Sequence, residues 1–148
     1  MSTSALVLFS GGQDSTISLA WALREYNEVH TIGFLYGQRH SVEIECRKKI
    51  IEKIKKYFPK WSSKIKSDNV LDLSFFNEFS KNALTSKSAI KMMSNGLPST
   101  FVPGRNLIFL SIATSYALSN KINDLIMGVC ETDYSGYPDC RNEFVKSM

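Results

Sequence analysis

The stretch "SGGQDST", Ser10–Thr16, follows the apolar run "ALVLF" and leads into a helical pattern. Two glycines, a carboxylate and three hydroxyls stand at that junction. Glycines let a backbone turn sharply and bring its N–H groups close to a ligand. A helix beginning just beyond adds free N-terminal amides and a partial positive charge. Together these make an anion site suited to phosphate. The Ser10 and Ser15 hydroxyls could donate to phosphate oxygens, and the Asp14 carboxylate could help hold magnesium. Gln13 either joins them or faces solvent. A side chain at Gly11 or Gly12 would block backbone approach or demand a strained dihedral. The plain alternative is a tight strand-to-helix turn with Asp14 as its cap. The stretch is neither a Walker loop, lacking Gly-Lys-Ser/Thr, nor G-x-G-x-x-G.

Three later stretches carry further chemistry. In "YGQRH", Tyr36–His40, Arg39 and His40 could meet anionic groups, although His40 alone also fits a helix start or a surface position. In "LPSTFVPGRN", Leu97–Asn106, Pro103 and Gly104 set a turn before a helix. Arg105 then opposes the dipole at that helix start, which calls for a compensating anion, unless the arginine bends back into solvent. "GVCETDYSGYPDCR", Gly128–Arg141, gathers Glu131, Asp133, Asp139, Tyr134 and Tyr137 around Gly136 and Pro138. Carboxylates and aromatics at a strand's end fit a planar, hydrogen-bonding heterocycle. A rigid turn with Asp139 capping a helix near Arg141 is the other reading.

The elements that must position these residues follow from periodicity. Ala5–Ser10 reads as a buried strand, Ser15–Tyr26 as an apolar helix and Glu28–Tyr36 as a second strand. Ser41–Phe58 reads as an amphipathic helix with Ile50, Ile51, Ile54, Tyr57 and Phe58 inward, ended by Pro59. Ile65–Leu73 is a third strand, Asn106–Ser119 a helix and Leu125–Val129 a fourth strand. Between them, residues 75–100 are polar and irregular, a pattern read as a lid or mobile loop. The alternation predicts an α/β fold, a parallel sheet with helices on both faces. Ligands in such folds sit at the C-terminal ends of strands, where the first turn lies.

The chain has 148 residues and a net charge of +4. That length suits one domain, and the charge suits an anionic ligand but is too mild to imply nucleic acid. Cys46, Cys130 and Cys140 form no Cys-x-x-Cys pair and lack zinc-site spacing, so they read as reduced thiols of a cytoplasmic protein. No segment approaches a membrane span or a signal peptide. The final "DCRNEFVKSM" reads as a helix just beginning, without a glycine or proline stop, which suggests a cut sequence.

The SGGQDS segment resembles the S-G-G-x-D-S pyrophosphatase loop of ATP-dependent enzymes that adenylate a substrate. "FSGGQDST", "YGQRH", "TFVPGRN" and "GVCETDYSGYPDCR", in this order, resemble the 7-cyano-7-deazaguanine (preQ0) synthase family of queuosine biosynthesis. The resemblance implies an adenine-nucleotide alpha-hydrolase-like (Rossmann-like) fold over residues 1–148 as one ATP-binding domain. It implies an ATP-dependent ligase that joins 7-carboxy-7-deazaguanine and ammonia, with Mg2+ assisting. Phe9, Ser10, Gly11, Gly12, Gln13, Asp14, Ser15, Thr16, Ile17 and Ser18 are then expected around the nucleotide. Asp14 and Arg105 are expected to act on magnesium-ATP. Tyr36, Gln38, Arg39, Glu131, Asp133, Tyr137, Asp139 and Arg141 are expected around the deazaguanine, with Asp133 and Asp139 on its donor edge and Tyr137 as a stacking wall. Family members carry a zinc site of four cysteines in a C-terminal part that has no counterpart here. Zn2+ is therefore expected only in that part. Small-molecule substrates, no nucleic acid, no membrane and a homodimer complete the expectation. Two other readings stand beside it: another pyrophosphatase-loop ligase or thiolase, and a shortened ATP-binding homologue without turnover.

Overall fold

A computed structural model describes residues 3–36, 42–75, 102–130 and 137–148. Strand β1 (Ser4–Leu8) is almost wholly apolar, and Ala5, Leu6 and Val7 are fully buried. Its place in the sheet explains this. It pairs in parallel with β2 (Glu28–Leu35) on one side and β4 (Asp124–Ile126) on the other, with Ala5 opposite both Val29 and Asp124. A central parallel strand has both faces covered and reads as a continuous apolar run. The full order is β3-β2-β1-β4, with β3 spanning Ile65–Asp72.

Helix α1 (Gln13–Glu25) joins β1 to β2, and α2 (Val42–Tyr57) with the short α3 (Pro59–Ser62) joins β2 to β3. Helix α4 (Arg105–Ser119) precedes β4. The strand order reverses direction at that last crossover, and right-handed connections then place helices on both faces of the sheet. Strand β3 displays the result. Asp68 meets Arg47 of α2, whereas Ser67 and Asn69 meet the hydroxyl of Tyr116 in α4. Successive residues of a strand point to opposite faces. Val7, Phe9, Leu19, Ala22, Leu23, Val29, Ile51 and Ile54 form the core between the sheet and α1 and α2. Each large apolar side chain buried there contributes about 1.5–3 kcal/mol.

Several boundaries differ from the sequence expectation. Helix α1 begins two residues earlier, at Gln13, with Gly12 as its N-cap. Helix α4 begins at Arg105. Strand β4 ends at Ile126 because its ladder partner β1 is lost beyond the Val7–Ile126 pair. Tyr57 and Phe58, expected inside, are 60% and 51% exposed. The buried stripe of α2 is Arg47, Ile51 and Ile54, and Phe58 instead stacks on Trp61 at 5.3 Å. Pro59 occupies the first position of α3, where its missing N–H costs nothing. The C-terminal pattern does form a short helix, α5 (Asn142–Ser147).

The chain divides into two compact units. The first, Met1–Phe34, His40–Leu71 and Ile112–Gly128, holds the sheet core and the glycine loop. The second, Leu35–Arg39, Asp72–Ser111 and Val129–Met148, holds the start of α4 and α5. Among the described residues no helix is long and apolar enough to cross a membrane. Most of the polar segment expected as a lid, residues 76–100, lies outside the described residues.

Candidate functional site

In the first unit, Ser10, Gly11 and Gly12 carry the chain from β1 into α1. Gly11 has φ +95°, a region that only glycine enters without strain. It also needs the room, because a Cβ there would collide with the Glu43 carbonyl oxygen and lie 2.7 Å from the Arg47 backbone nitrogen. Gly12 is different. Its φ of −74° is ordinary, and a Cβ would come no closer than 3.3 Å, to the Ser10 hydroxyl. The sequence expectation of strain therefore holds for Gly11 and not for Gly12.

The hydroxyls hold the loop together. Gly11 N–H donates to Ser15 Oγ at 3.3 Å and Gly12 N–H to Ser10 Oγ at 3.1 Å. Ser15 and Thr16 hydroxyls donate to the Gly12 carbonyl at 3.0 and 2.7 Å, and Ser18 Oγ donates to the Asp14 carbonyl at 2.9 Å. Ser15 is buried, while Gln13 and Asp14 are exposed and Ile17 is 62% exposed. No side chain caps the N-terminus of α1. The first-turn amides of Gln13, Asp14 and Ser15 have no partner within the helix, so they point an array of N–H groups and the positive end of the dipole outward. That arrangement binds anions. Asp14 is thus a first-turn residue and does not cap the helix. Beside the loop runs an open groove of about 590 Å³, which Gly11, Gln13 and Thr16 line on one side and Cys46, Lys49 and Lys53 on the other. Two lysines one helical turn apart add positive charge next to the amides.

Three residues at this end of the sheet had not been assigned a role from sequence. Gly128, just past β4, lies against the first turn of α1, and a Cβ there would sit 2.9 Å from the Asp14 carbonyl and the Ser18 hydroxyl. Arg47 is 1% exposed, and its guanidinium donates to the Phe9 carbonyl and the Asp68 carboxylate. Burial pulls that guanidinium below its ordinary value, and Asp68 pulls it back up. Gly33 in β2 leaves space for it. Two signals were present. Arg47, Ile51 and Ile54 share one helical face, and an isolated glycine inside a strand marks a close approach.

The second unit positions Arg105. The turn runs through Pro103 and Gly104, the latter at φ +71°, and Arg105 N–H closes it on the Val102 carbonyl at 3.2 Å. The Arg105 guanidinium lies 5.8 Å from the centre of the Tyr137 ring. A cation over an aromatic face is attracted by its quadrupole, which offsets the unfavourable place at a helix start. Asp139 is buried, and its carboxylate accepts from Asn106 N–H at 3.0 Å. It thus caps α4, rather than the helix beginning at Asn142, whose N-cap Arg141 has no side-chain cap bond. The Asn106 amide donates to the Asp139 carbonyl at 3.0 Å and to Cys140 Sγ at 3.4 Å. Tyr36 packs its ring on Phe109, with centroids 5.5 Å apart. Gln38, Arg39, His40, Glu131 and Asp133 lie outside the described residues. Among the described residues no three His, Cys, Asp or Glu side chains come together in a metal-binding group.

Residues 4–148 match the sequence profile of a family described as queuosine biosynthesis protein QueC. A 7-cyano-7-deazaguanine synthase of Methylibium petroleiphilum is 57% identical over 144 residues, covering 97% of this chain and 61% of that relative. The synthase of the same name from a Polaromonas species is 53% identical over 148 residues, covering 100% of this chain and 63% of its own. The chain thus spans about 60% of the length of these curated relatives. Among solved structures, a 4-thiouridine synthetase in an RNA complex with bound ATP superimposes with a TM-score of 0.61 at 16% identity, covering 98% of this chain and 33% of that one. That likeness establishes the fold.

Proposed function

The chain belongs to the QueC family of queuosine biosynthesis proteins, and from that membership we propose that it binds ATP to make 7-cyano-7-deazaguanine. The observation that carries the proposal is the uncapped start of α1 beneath the Gly11 turn, a cradle built for phosphate. A carboxylate is a poor electrophile. Attack of the 7-carboxy-7-deazaguanine carboxylate on the α-phosphorus of ATP forms an acyl adenylate and releases pyrophosphate. Ammonia then attacks the carbonyl carbon and AMP leaves, giving the amide. A second activation, at the amide oxygen, allows loss of AMP and a proton to give the nitrile.

In this reading the Gly11–Ser15 amides hold the pyrophosphate as its charge develops. Asp14, exposed on the first turn, is the residue that would hold magnesium, which would neutralise phosphate charge when bound. Arg105 neutralises charge at the α-phosphorus. Asp139 and Tyr137 belong to the segment that meets the deazaguanine, together with Tyr36 and Arg141. Small-molecule substrates and a cytoplasmic setting go with this chemistry.

Incubation of the protein with Mg-ATP, ammonia and 7-carboxy-7-deazaguanine, read by mass spectrometry, tests the proposal. Nitrile, AMP and pyrophosphate support it. ATP binding without any adduct leaves a nucleotide-binding homologue, and a different adduct makes this another pyrophosphatase-loop ligase.

A further inference from the structure

We infer that Arg47, in the middle of α2, is the positioning residue that sets where the glycine loop leaves the sheet. The two terminal nitrogens of the guanidinium are spent on backbone and strand groups, while Nε is buried without a hydrogen-bond partner. Nη1 donates to the Phe9 carbonyl, and Nη2 reaches the Asp68 carboxylate, Thr31 Oγ1 at 3.2 Å and the Asn69 carbonyl at 3.0 Å. The guanidinium carbon also lies 4.9 Å from the centre of the Phe9 ring.

Phe9 is the last residue before Ser10–Gly12. Its N–H still belongs to the sheet, donating to the Ile32 carbonyl at 2.8 Å. Its carbonyl has been taken by Arg47. The ladder therefore stops at this residue, and the chain is released into the loop from a fixed point. Strand β2 gives up a side chain to allow it. A Cβ at Gly33 would lie 3.0 Å from both Arg47 Nη1 and the Phe9 carbonyl oxygen. The backbone of the same arginine forms the wall behind Gly11, 2.7 Å from where a Cβ would stand. Side chain and backbone thus bracket the loop at Phe9 and at Gly11.

Stability alone does not explain the arrangement. Buried ion pairs are often matched by apolar residues of similar size, so they are weak stabilisers. A lysine would present one point charge where the planar fork serves four acceptors. The consequence for nucleotide affinity rests on the proposed reading of the loop as an ATP site. The positional role itself does not.

The test uses Arg47→Lys and the double variant Arg47→Met/Asp68→Asn, which removes the charge on both partners. Hydrogen–deuterium exchange of the peptide Phe9–Thr16 is compared with that of β4 and the middle of α1, and Mg-ATP affinity is measured by calorimetry. Faster exchange confined to the loop peptide is expected in both, with ATP affinity reduced on the order of tenfold to a hundredfold, as small misplacements of a site produce. Unchanged loop exchange in a folded variant overturns the inference. So does exchange that rises equally everywhere, because Arg47 is then only a strut of the core. Should the parent protein fail to bind Mg-ATP while loop exchange still rises in the variants, the positioning role stands and the proposed function falls.

Discussion

The backbone N–H of Asn106 donates to the Asp139 carboxylate at 3.0 Å, and the Asn106 side chain returns a bond to the Asp139 carbonyl at the same distance. The first turn of α4 and the Asp139 segment beyond β4 are thereby locked to each other. The lock lies next to Arg105 in sequence and two residues from Tyr137. It ties the helix start that carries Arg105 to the Asp139 segment.

Removing that cap has a predictable cost. Asp139→Ala is expected to destabilise by about 1 kcal/mol or somewhat more, since it leaves a helix-start donor unpaired. For a chain of this size that is a fall in Tm of roughly 2–4 °C per kcal/mol. Asp139→Asn keeps an acceptor oxygen and loses only the charge that suits the dipole, so it should fall less. Thermal unfolding of the two variants checks the order. Weakened binding of 7-carboxy-7-deazaguanine with no loss of Tm in either would instead assign Asp139 to base recognition.

The two loop glycines should separate in their behaviour. Gly11→Ala forces a side chain into a left-handed backbone and against α2, and is expected to cost about 1–2 kcal/mol from the dihedral alone, with collision added. Gly12→Ala meets an ordinary dihedral and a 3.3 Å neighbour, so the fold should be nearly unaffected. Both are expected to weaken Mg-ATP binding, Gly11→Ala because the loop must move away from α2 to admit the Cβ, and Gly12→Ala because the added methyl crowds the Ser10 hydroxyl that holds the loop. Urea unfolding and calorimetry on the pair test this. Equal losses of stability would contradict the geometry.

Arg105→Lys is expected to lower kcat/KM by more than tenfold, because a lysine cannot make a forked contact to phosphate or lie flat on Tyr137. Tyr137→Leu removes the aromatic face and keeps the guanidinium. Its loss should be smaller, on the order of the 0.5–1 kcal/mol of an exposed cation–π contact. Near-normal turnover of the lysine variant would reduce Arg105 to a general surface charge.

His30 makes stability depend on pH in one direction. Partial burial pulls its imidazole below the ordinary value, Glu28 opposes this, and Lys66 adds to it. Nδ1 shares a 2.8 Å hydrogen bond with Ser67 Oγ, which in turn approaches the Tyr116 hydroxyl. The unfolded chain takes up its proton as pH falls through about 6.5, and the folded chain only at lower pH. The neutral form's contribution is therefore complete above that value and is lost between the unfolded and the folded pKa. Urea unfolding at pH 7.5 and 5.5 should show a larger loss for the parent protein than for His30→Gln. An identical loss in both would remove His30 from the account.

What could be read from sequence is what is set within a few residues of chain. The alternation of apolar runs and amphipathic segments made the parallel α/β order legible, since each period reports the face its own element buries. The glycine loop was legible for the same reason: Ser10, Gly11, Gly12, Ser15 and Thr16 bond almost entirely to one another. The resemblance of four ordered motifs then identified the family. Arg47 looked like one more charge in "CRKKIIEKIKK", because nothing nearby in the chain reveals that Phe9, Thr31, Asp68 and Asn69 will converge on it. The partner of Asp139 was hidden in the same way, and the cap near Arg141 was only the alternative to a base-reading role. A helix start near Arg141 is adjacent in sequence, but the donor that reaches the carboxylate comes from α4. Gly128 read as the end of a strand until α1 was laid across it. Periodicity and turn chemistry are local and survive in a string of letters. The burial of a charge, the choice of a cap and the need for a missing Cβ depend on which distant backbone arrives within three ångströms, and only the folded chain decides that.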